Sequence, residues 1–233
     1  MRAAARTAVA LSTAVHQDAT DKSPEPNQSA KSNPAGTTES ASVDRDDVPT
    51  LGRWLAFFSL VIVGVSIDLA TKSWIFGRLG LPSGDKSLSV IGDILILETS
   101  LNEGALFGFG QGGSWIFAVL AFVAVTGILG WLSYGRAIQE RGVALALGSI
   151  VGGILGNLYD RLGFPGLKWN YPAERIGEPV HAVRDWIHFQ IPPIGFDFAV
   201  FNIADSLLVV GVSFLLWQTF RAEARRDQAP TEA

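Results

Sequence analysis

Four long apolar segments constrain the fold of this chain more than any other feature. Each is near the roughly 20 residues that a helix needs to cross about 30 Å of hydrocarbon. Their approximate bounds are 51–74, 114–134, 143–159 and 198–220. With 48% hydrophobic and only 17% charged residues, the chain is also too apolar for an ordinary soluble domain. We therefore predict a four-helix polytopic membrane domain over residues 51–222.

The chain has a polar tail at each end of this domain. Residues 1–50 are rich in Ser, Thr, Pro, Asn and Ala, and such a composition cannot bury enough surface to offset its chain entropy. The first fifteen residues resemble a weak signal peptide, but they lack Leu and Phe density, so a disordered tail is the better interpretation. Residues 223–233 form the predicted C-terminal tail.

Two long connections join the apolar segments. The first, about residues 76–113, contains SLSVIGDILILETSLN, whose partial alternation and β-branched content predict one or two strands at the membrane surface. The second, about residues 161–197, is rich in Pro, Gly and aromatic residues without a helical or strand period, so we expect an irregular lobe. The predicted fold class is an all-α polytopic membrane protein with a small β-rich region.

Lys and Arg residues orient the predicted bundle, because cytoplasmic loops carry an excess of both. Arg53 precedes the first segment, Arg136 and Arg141 lie between the second and third, and Arg221 follows the fourth. Both termini are therefore expected to be cytoplasmic, with both long connections extracytoplasmic. The opposite side also carries Lys and Arg, so the bias is incomplete.

Composition and motif spacing exclude several classes of function. The net charge of −4 without a basic stripe argues against nucleic-acid binding. Zero cysteines exclude disulfides, thiol catalysis and Cys-ligated metals. His181, Asp185 and His188 could supply metal ligands, but their spacing matches no HExxH motif. The GFGQGG pattern lacks a βαβ context and is interpreted as a turn at the membrane surface, so we expect neither metal nor cofactor.

Three acids at the ends of apolar segments carry the functional signal: Asp160, Asp185 and Asp205. A carboxylate beside hydrocarbon is costly unless it lines a cavity or finds partners, which makes it a functional candidate. Asp185 and Asp205 flank a short Pro-containing stretch, so they could meet and share one proton, as in an aspartyl protease. Sequence does not decide which acid holds that proton. A helix cap for Asp205 and a surface acid for Asp185 are the structural alternatives.

Other polar residues have simpler interpretations. Asp160 precedes Arg161, which favours a structural ion pair. Asp68 and Lys72 are an i, i+4 pair at a helix end, where a lysine can reach the interface. Asn202 lies three residues before Asp205, so on a helix the two would share a face and the amide could orient the carboxylate.

Five motifs, taken in order, resemble those of the lipoprotein signal peptidases, also called signal peptidase II. They are SIDLATK, NEGALFGF, GGILGNLYDR, VRDW and FNIADS, and the resemblance covers residues 53–220. It implies an aspartic endopeptidase of the bacterial inner membrane with no cofactor. Such an enzyme removes the signal peptide from diacylglyceryl-modified prolipoproteins, cleaving on the amino side of the lipidated cysteine.

The resemblance also implies roles for individual residues. It makes Asp185 and Asp205 the catalytic pair, in a monomeric enzyme that contacts membrane lipids and keeps its active site at the extracytoplasmic face. It makes the first connection a β-cradle that embraces the substrate, and it demotes Asp160 to a supporting position. The supporting or substrate-binding positions are Asp68, Lys72, Asn102, Gly104, Gly153, Asn157, Asp160, Arg161 and Asn202.

The sequence departs from the family pattern at two places, and two alternative functions remain open. Residues 163–182 look like an insertion, and Trp186 replaces the usual Phe, so the role of this loop is open. A proton-coupled transporter would also use intramembrane acids, but its relay acids should lie at mid-span rather than at one face. A non-catalytic assembly factor would need the acids only for structure, which the order of the motifs disfavours.

Overall fold

The structure, a computed structural model, describes residues 51–82, 86–104, 113–134 and 137–226. Four predictions lie wholly or mostly outside these residues: the N-terminal tail, its signal-peptide-like start, the end of the C-terminal tail and the GFGQGG turn. The latter part of the NEGALFGF motif is outside them as well.

The described residues contain four long helices. They are α1 (Leu51–Leu79), α2 (Ser114–Tyr134), α3 (Arg141–Arg161) and α4 (Ile203–Arg226). Each is long and apolar enough to cross a membrane. α1 continues past its predicted end near residue 74, and α4 begins after its predicted start near residue 198, because Asn202 caps it.

α3 is the central helix of the bundle. Within its apolar window 61% of the residues are buried, against 6% in α2. It packs against α1, α2 and α4, and glycines make the close approach possible. A Cβ on Gly148 would lie 3.1 Å from the carbonyl oxygen of Phe57 in α1, and one on Gly153 would collide with the carbonyl of Ala204 in α4. Small residues therefore set the spacing of three helices.

A four-stranded antiparallel sheet lies beside the bundle. Its strands are β1 (Ser87–Ile91), β2 (Leu95–Asn102), β3 (Val183–Ile191) and β4 (Phe196–Asp197), paired in that order. The strands predicted in the first connection are present, but the irregular lobe predicted for the second is wrong over β3 and β4. An all-α description is accordingly imprecise.

β3 escaped detection because its local pattern is not that of a strand with one buried face. Its first four residues are all buried, so apolar and polar residues do not alternate. Its partner is distant in sequence, with Leu95 opposite Phe189 and Asn102 opposite Val183. Trp186 packs with Ile75, Phe76 and Leu79 at the end of α1, which fixes the strand to the bundle.

Residues 163–182, named the lobe here, connect α3 to β3. Two short stretches of the lobe run antiparallel. The Trp169 N–H donates to Glu178 O over 2.9 Å, and the Val180 N–H donates to Leu167 O over 3.0 Å. Between them lies a turn of 3-10 helix, Ala173–Arg175, and Gly177 adopts the left-handed φ of 88° that closes the turn. The predicted insertion is therefore a folded hairpin-like unit.

Candidate active site

Asp185 lies in the buried half of β3, with only 2% of its surface exposed. Its Oδ1 accepts a hydrogen bond from Asn202 Nδ2 at 2.6 Å, and its Oδ2 accepts one from Asn102 Nδ2 at 3.2 Å. The strand places Asp185 opposite Ser100 in β2, so β2 and the start of α4 both reach it. The alternative of a surface-loop acid is wrong.

Asp205 lies in the first turn of α4 and forms a reciprocal cap with Asn202. Asp205 Oδ2 accepts the Asn202 N–H at 3.1 Å, while Asn202 Oδ1 accepts the Asp205 N–H at 3.0 Å. This is a capping box with Asn and Asp in the usual Ser/Thr and Glu positions. Asn202 thus precedes the helix instead of sharing a helical face with Asp205, and the helix-cap interpretation of Asp205 is part of the geometry.

One amide therefore connects the two acids. The Asn202 side chain donates to Asp185, and its backbone N–H donates to Asp205. Asn157 Nδ2 donates to the second oxygen of Asp205 at 2.8 Å, and Asn157 Oδ1 accepts from Asn202 at 3.2 Å. Two asparagines from different elements hold a pair of carboxylates in one site, which is the juxtaposition expected from the sequence.

The electrostatics of the site favour a proton on Asp185. Burial raises the pKa of Asp185 to about 7, and the nearby charge of Asp205 acts in the same direction. The hydrogen bonds from Asn202 and Asn102 and the charge of Lys72 oppose that rise in pKa. A carboxyl group with a pKa near neutrality, next to a second carboxylate, can exchange a proton during a reaction at physiological pH.

A buried ionic network lies next to the acid pair and contacts it through Asn157 and the start of α4. Lys72 Nζ lies 2.7 Å from Asp68 Oδ2 and 3.0 Å from Asp160 Oδ2, and all three side chains are fully buried. Lys72 also donates to Asn157 Oδ1 at 3.0 Å, so the expectation that Lys72 reaches the interface is wrong. Asp68 Oδ1 accepts the Ala204 N–H at 2.9 Å, which sets a carboxylate at the positive end of α4.

Asp160 forms an ion pair, but not with the neighbouring Arg161. Its Oδ1 accepts from Arg184 Nε at 2.8 Å, and its Oδ2 accepts from the Arg184 N–H at 3.1 Å. Sequence analysis missed Arg184 in this role. No local signal indicated it, because the alternation that turns Arg184 away from Asp185 holds only once β3 is known to be a strand.

Arg161 faces a cavity instead. Its Nη2 donates to the Gly104 carbonyl at 2.9 Å, and its guanidinium lies 5.3 Å from the centroid of Phe117. Its buried Nε has no hydrogen-bond partner within the part of the chain that the structure describes. Arg161 also lines the cavity described next, so its guanidinium is close enough to donate to a ligand oxygen there.

That cavity has a volume of about 640 Å³ and lies between α2, α3, α4 and the sheet. Its polar end contains both acids together with Asn102, Asn157 and Arg161. The helices supply a large apolar part of its wall: Leu120, Ala121, Ala124, Ile154, Leu208 and Val209. A ligand of this shape would combine an apolar segment with a polar group held at the acid pair.

The residues considered for a metal site are not brought together. Asp185 and His188 are three apart on β3 and so point to opposite faces. His188 pairs with Asp197 at 2.7 Å and Glu98 at 3.0 Å, whereas His181 Nδ1 lies 3.1 Å from the Arg161 carbonyl oxygen. Across the described ranges, no group of three or more His, Cys, Asp or Glu residues could hold a metal ion.

Fold and site together define a class: a polytopic helical membrane protein with two carboxylates at one end of its bundle. The family model described as signal peptidase (SPase) II matches residues 60–221. The chain belongs to that family, which is a family of aspartic peptidases. The alternative of a proton-coupled transporter is not supported.

Relatives and solved structures agree with this assignment. The chain is 39% identical to a lipoprotein signal peptidase of Rhodopirellula baltica, with 82% of this chain and 84% of the relative covered. It is 40% identical to one of Desulfitobacterium hafniense, over 67% of this chain and 88% of the relative. Two solved bacterial membrane enzymes share the fold. The first has a TM-score of 0.61 at 22% identity, covering 76% of this chain and 94% of its own. The second has a TM-score of 0.56 at 24% identity, covering 70% and 91%.

Proposed function

We propose that this protein is a membrane aspartic endopeptidase that removes the signal peptide from diacylglyceryl-modified prolipoproteins. It cleaves on the amino side of the lipidated cysteine. Membership of the signal peptidase II family and relatives named lipoprotein signal peptidase support the substrate class. The observation that carries the chemistry is the pair of carboxylates, Asp185 and Asp205, joined through Asn202 at the polar end of a cavity.

The proposed reaction uses the two acids in complementary states. The ionised acid, Asp205, takes a proton from a water molecule, whose oxygen attacks the scissile carbonyl carbon. The protonated acid, Asp185, donates a hydrogen bond to the carbonyl oxygen. The C–N bond then breaks, and the leaving nitrogen receives a proton from the pair. The pKa of Asp185, raised to about 7, supports this division of roles.

Neighbouring residues have supporting roles in this proposal. Asn102, Asn157 and Asn202 orient the carboxylates, and Arg161 is available to bind a backbone carbonyl of the substrate. The network of Asp68, Lys72 and Asp160 holds α1, α3 and the start of α4 in register. Gly153 lets α3 approach α4, and the Gly104 carbonyl fixes the Arg161 guanidinium.

The proposed setting is the bacterial inner membrane, with both termini in the cytoplasm and the acid pair at the extracytoplasmic face. The signal peptide's apolar helix would then enter laterally, along the apolar walls of the cavity. The sheet would act as a cradle on the membrane surface. Apolar side chains exposed at its tip support contact with lipid: Val90, Ile91, Ile94, Ile194 and Phe196. We further propose that the domain spans residues 51–222 and acts as a monomer.

Cleavage of a diacylglyceryl prolipoprotein by the purified protein tests the proposal. Asp185→Asn and Asp205→Asn should each lower kcat by about 10³-fold, because positioned acid–base groups contribute 10²–10⁴-fold. Asp93→Asn is the control, since Asp93 is an exposed acid in the turn between β1 and β2. Folding of each variant is checked by thermal unfolding in detergent.

Three outcomes would contradict parts of the proposal. Wild-type activity in either dyad variant would overturn the assignment of the catalytic pair. Loss of cleavage on adding a chelator would point to a metal enzyme. Equal cleavage of a prolipoprotein without the lipid would leave the chemistry intact but overturn the substrate class.

A further inference from the structure

Arg175 in the lobe has partners for all three of its guanidinium nitrogens. Arg175 Nη1 donates to Glu103 Oε2 at 3.0 Å, and Nη2 donates to Glu103 Oε1 at 2.9 Å. Its Nε donates to Glu178 at 3.3 Å, and its guanidinium lies 4.2 Å from the Trp169 ring centroid. Two parallel N–H···O bonds to one carboxylate are the geometry that fixes an Arg partner most specifically.

Glu103, the partner in that pair, lies between two residues of the candidate active site. Asn102 donates to Asp185, and the Gly104 carbonyl accepts from Arg161. The Gly104 N–H also donates to Asn102 Oδ1 at 3.0 Å, so the three residues form one compact turn. A displacement of Glu103 would therefore move contacts to the acid and to the arginine together.

The sheet does not hold this turn beyond its first residue. β2 ends at Asn102, where its last pairing is with Val183. Glu103 is only 15% exposed in its side chain, and the carboxylate needs a partner at that burial. Arg175 supplies it, 72 residues away in sequence.

The position and backbone hydrogen bonds of the lobe allow it to hold Arg175 in place next to the site. It begins two residues after Arg161, the last residue of α3, and ends at the start of β3, three residues before Asp185, so both of its ends lie next to the site. Backbone hydrogen bonds between Trp169 and both Gly177 and Glu178 hold the strands of the lobe on either side of Arg175. The carboxylates of Glu103 and Glu178 raise the pKa of Arg175, with the Glu103 hydrogen bond the largest cause.

We propose that Arg175 is a positioning residue for the peptidase reaction. Through its two-pronged ion pair with Glu103, it holds the Asn102–Gly104 turn so that Asn102 orients Asp185 and Gly104 orients Arg161. The inserted lobe is thereby part of the active-site scaffold. This inference rests on the proposed function, because its readout is the cleavage reaction.

Steady-state cleavage of a diacylglyceryl prolipoprotein by full-length variants tests this role. Arg175→Ala should lower kcat and kcat/KM about five-fold each with KM unchanged. A five-fold loss is the size expected for a charge-assisted ion pair at a partly exposed site. KM should not change, because neither Arg175 nor Glu103 lines the cavity. Arg175→Lys keeps the charge but not the fork, so it should recover part of the loss.

A double-mutant cycle separates positioning from general damage to the lobe. Adding Glu103→Ala to Arg175→Ala should lower kcat no further than either change alone, because both remove the same contact. The exchange of Arg175→Glu with Glu103→Arg should restore part of kcat. Glu174→Ala is the matched control, because Glu174 is the exposed neighbour of Arg175 in the same turn.

The possible outcomes are distinct. Additive losses in the cycle, wild-type kcat in Arg175→Ala, or a change in KM alone would overturn the positioning role while wild-type cleavage leaves the proposed function standing. If the wild-type protein does not cleave the substrate, the proposed function fails first. Should Arg175→Ala unfold at a lower temperature than Glu174→Ala, Arg175→Lys and the exchanged pair decide the question instead.

Discussion

At the scale of single residues, the site depends on asparagines as much as on acids. Asn202 donates to Asp185 through its side chain and to Asp205 through its backbone, and Asn157 contacts Asp205, Lys72 and Asn202. An amide carries both a donor and an acceptor, so it can join two acids or an acid and a cation. The pKa of Asp185 then depends on neutral neighbours as well as on burial and charge.

The raised pKa of Asp185 predicts the pH dependence of cleavage. The proposed reaction needs the proton on Asp185, so kcat/KM should fall as the pH rises through about 7. The sign for stability is the same. The pKa of Asp185 is 3.8 in the unfolded chain and about 7 in the folded protein, so the folded state binds the proton more tightly. The contribution of Asp185 to the free energy of unfolding is therefore fully present below pH 3.8 and is lost as the pH rises through about 7.

Asn102→Ala provides the comparison for this pH profile. The hydrogen bond from Asn102 lowers the pKa of Asp185, as do Asn202 and Lys72, while Asp205 raises it. Removal of the Asn102 amide should therefore shift the alkaline limb to higher pH. A wild-type profile that stays flat from pH 6 to about 8.5, or a shift to lower pH in the variant, would contradict this account.

The buried lysine predicts a large cost for its removal. Lys72→Met leaves Asp68 without its cation in a fully buried position, and breaking such a pair costs about 3–5 kcal/mol of unfolding free energy. Lys168→Met, at an exposed lysine of the lobe, is the control. Denaturant unfolding in detergent measures both, and equal stability of the two variants would show that the network contributes little.

At the scale of secondary-structure elements, the glycine face of α3 sets the position of the site. A Cβ on Gly156 would lie 2.5 Å from Asp68 Oδ2 and 3.2 Å from Ala204 Cβ, so α3 could no longer approach α1 and α4. The sequence signalled this helix through its small residues. It did not signal which atoms those residues make room for, because they belong to other helices.

Gly156→Ala tests this close packing. Overpacking of this kind costs about 1–3 kcal/mol, and displacement of Asp68 should also lower kcat. Gly127→Ala in α2 is a matched control, since nothing lies within 4 Å of its added Cβ. Thermal unfolding and cleavage are measured for both. If the two variants behave alike, the spacing of α3 is not limiting.

The elements also show where prediction from sequence stops. The four hydrophobic helices can be predicted from the sequence, because a membrane span needs a characteristic length and an apolar composition. β3 was not visible, since VRDWIHFQI has both faces covered at one end and pairs with a strand far away in sequence. The same long-range pairing brings Asn102 to Asp185. Packing of β3 against α3 places Arg184, rather than Arg161, beside Asp160. Motif resemblance selected the acids, but their partners depend on contacts that no local pattern encodes.

At the scale of the whole molecule, the described residues contain four candidate spans, which would place residues 51 and 226 on one side of the membrane. The loop between α2 and α3 and the lobe between α3 and β3 must then lie on opposite sides. The proposed orientation sets the lobe outside the cytoplasm, next to the acid pair.

Cysteine labelling tests this orientation cleanly, because the chain has no native cysteine. A membrane-impermeant maleimide added to spheroplasts should label Glu174→Cys in the lobe. It should label Glu140→Cys, next to α3 at the other end of the bundle, only after lysis. Both positions are exposed in the structure. The reverse pattern would invert the topology and move the acid pair to the cytoplasmic face.

The reciprocal cap at Asn202 and Asp205 has a consequence for inhibition. Asp205, whose Oδ2 accepts the Asn202 N–H at the start of α4, also lines the cavity. A ligand that binds the Asp205 carboxylate therefore competes with the cap of this helix. Occupancy should then be visible as faster hydrogen–deuterium exchange at the Asn202 amide. Resistance to such an inhibitor through Asp205→Glu would be difficult to acquire. The longer side chain would displace the proposed catalytic carboxylate and disturb the cap of α4 in a single substitution.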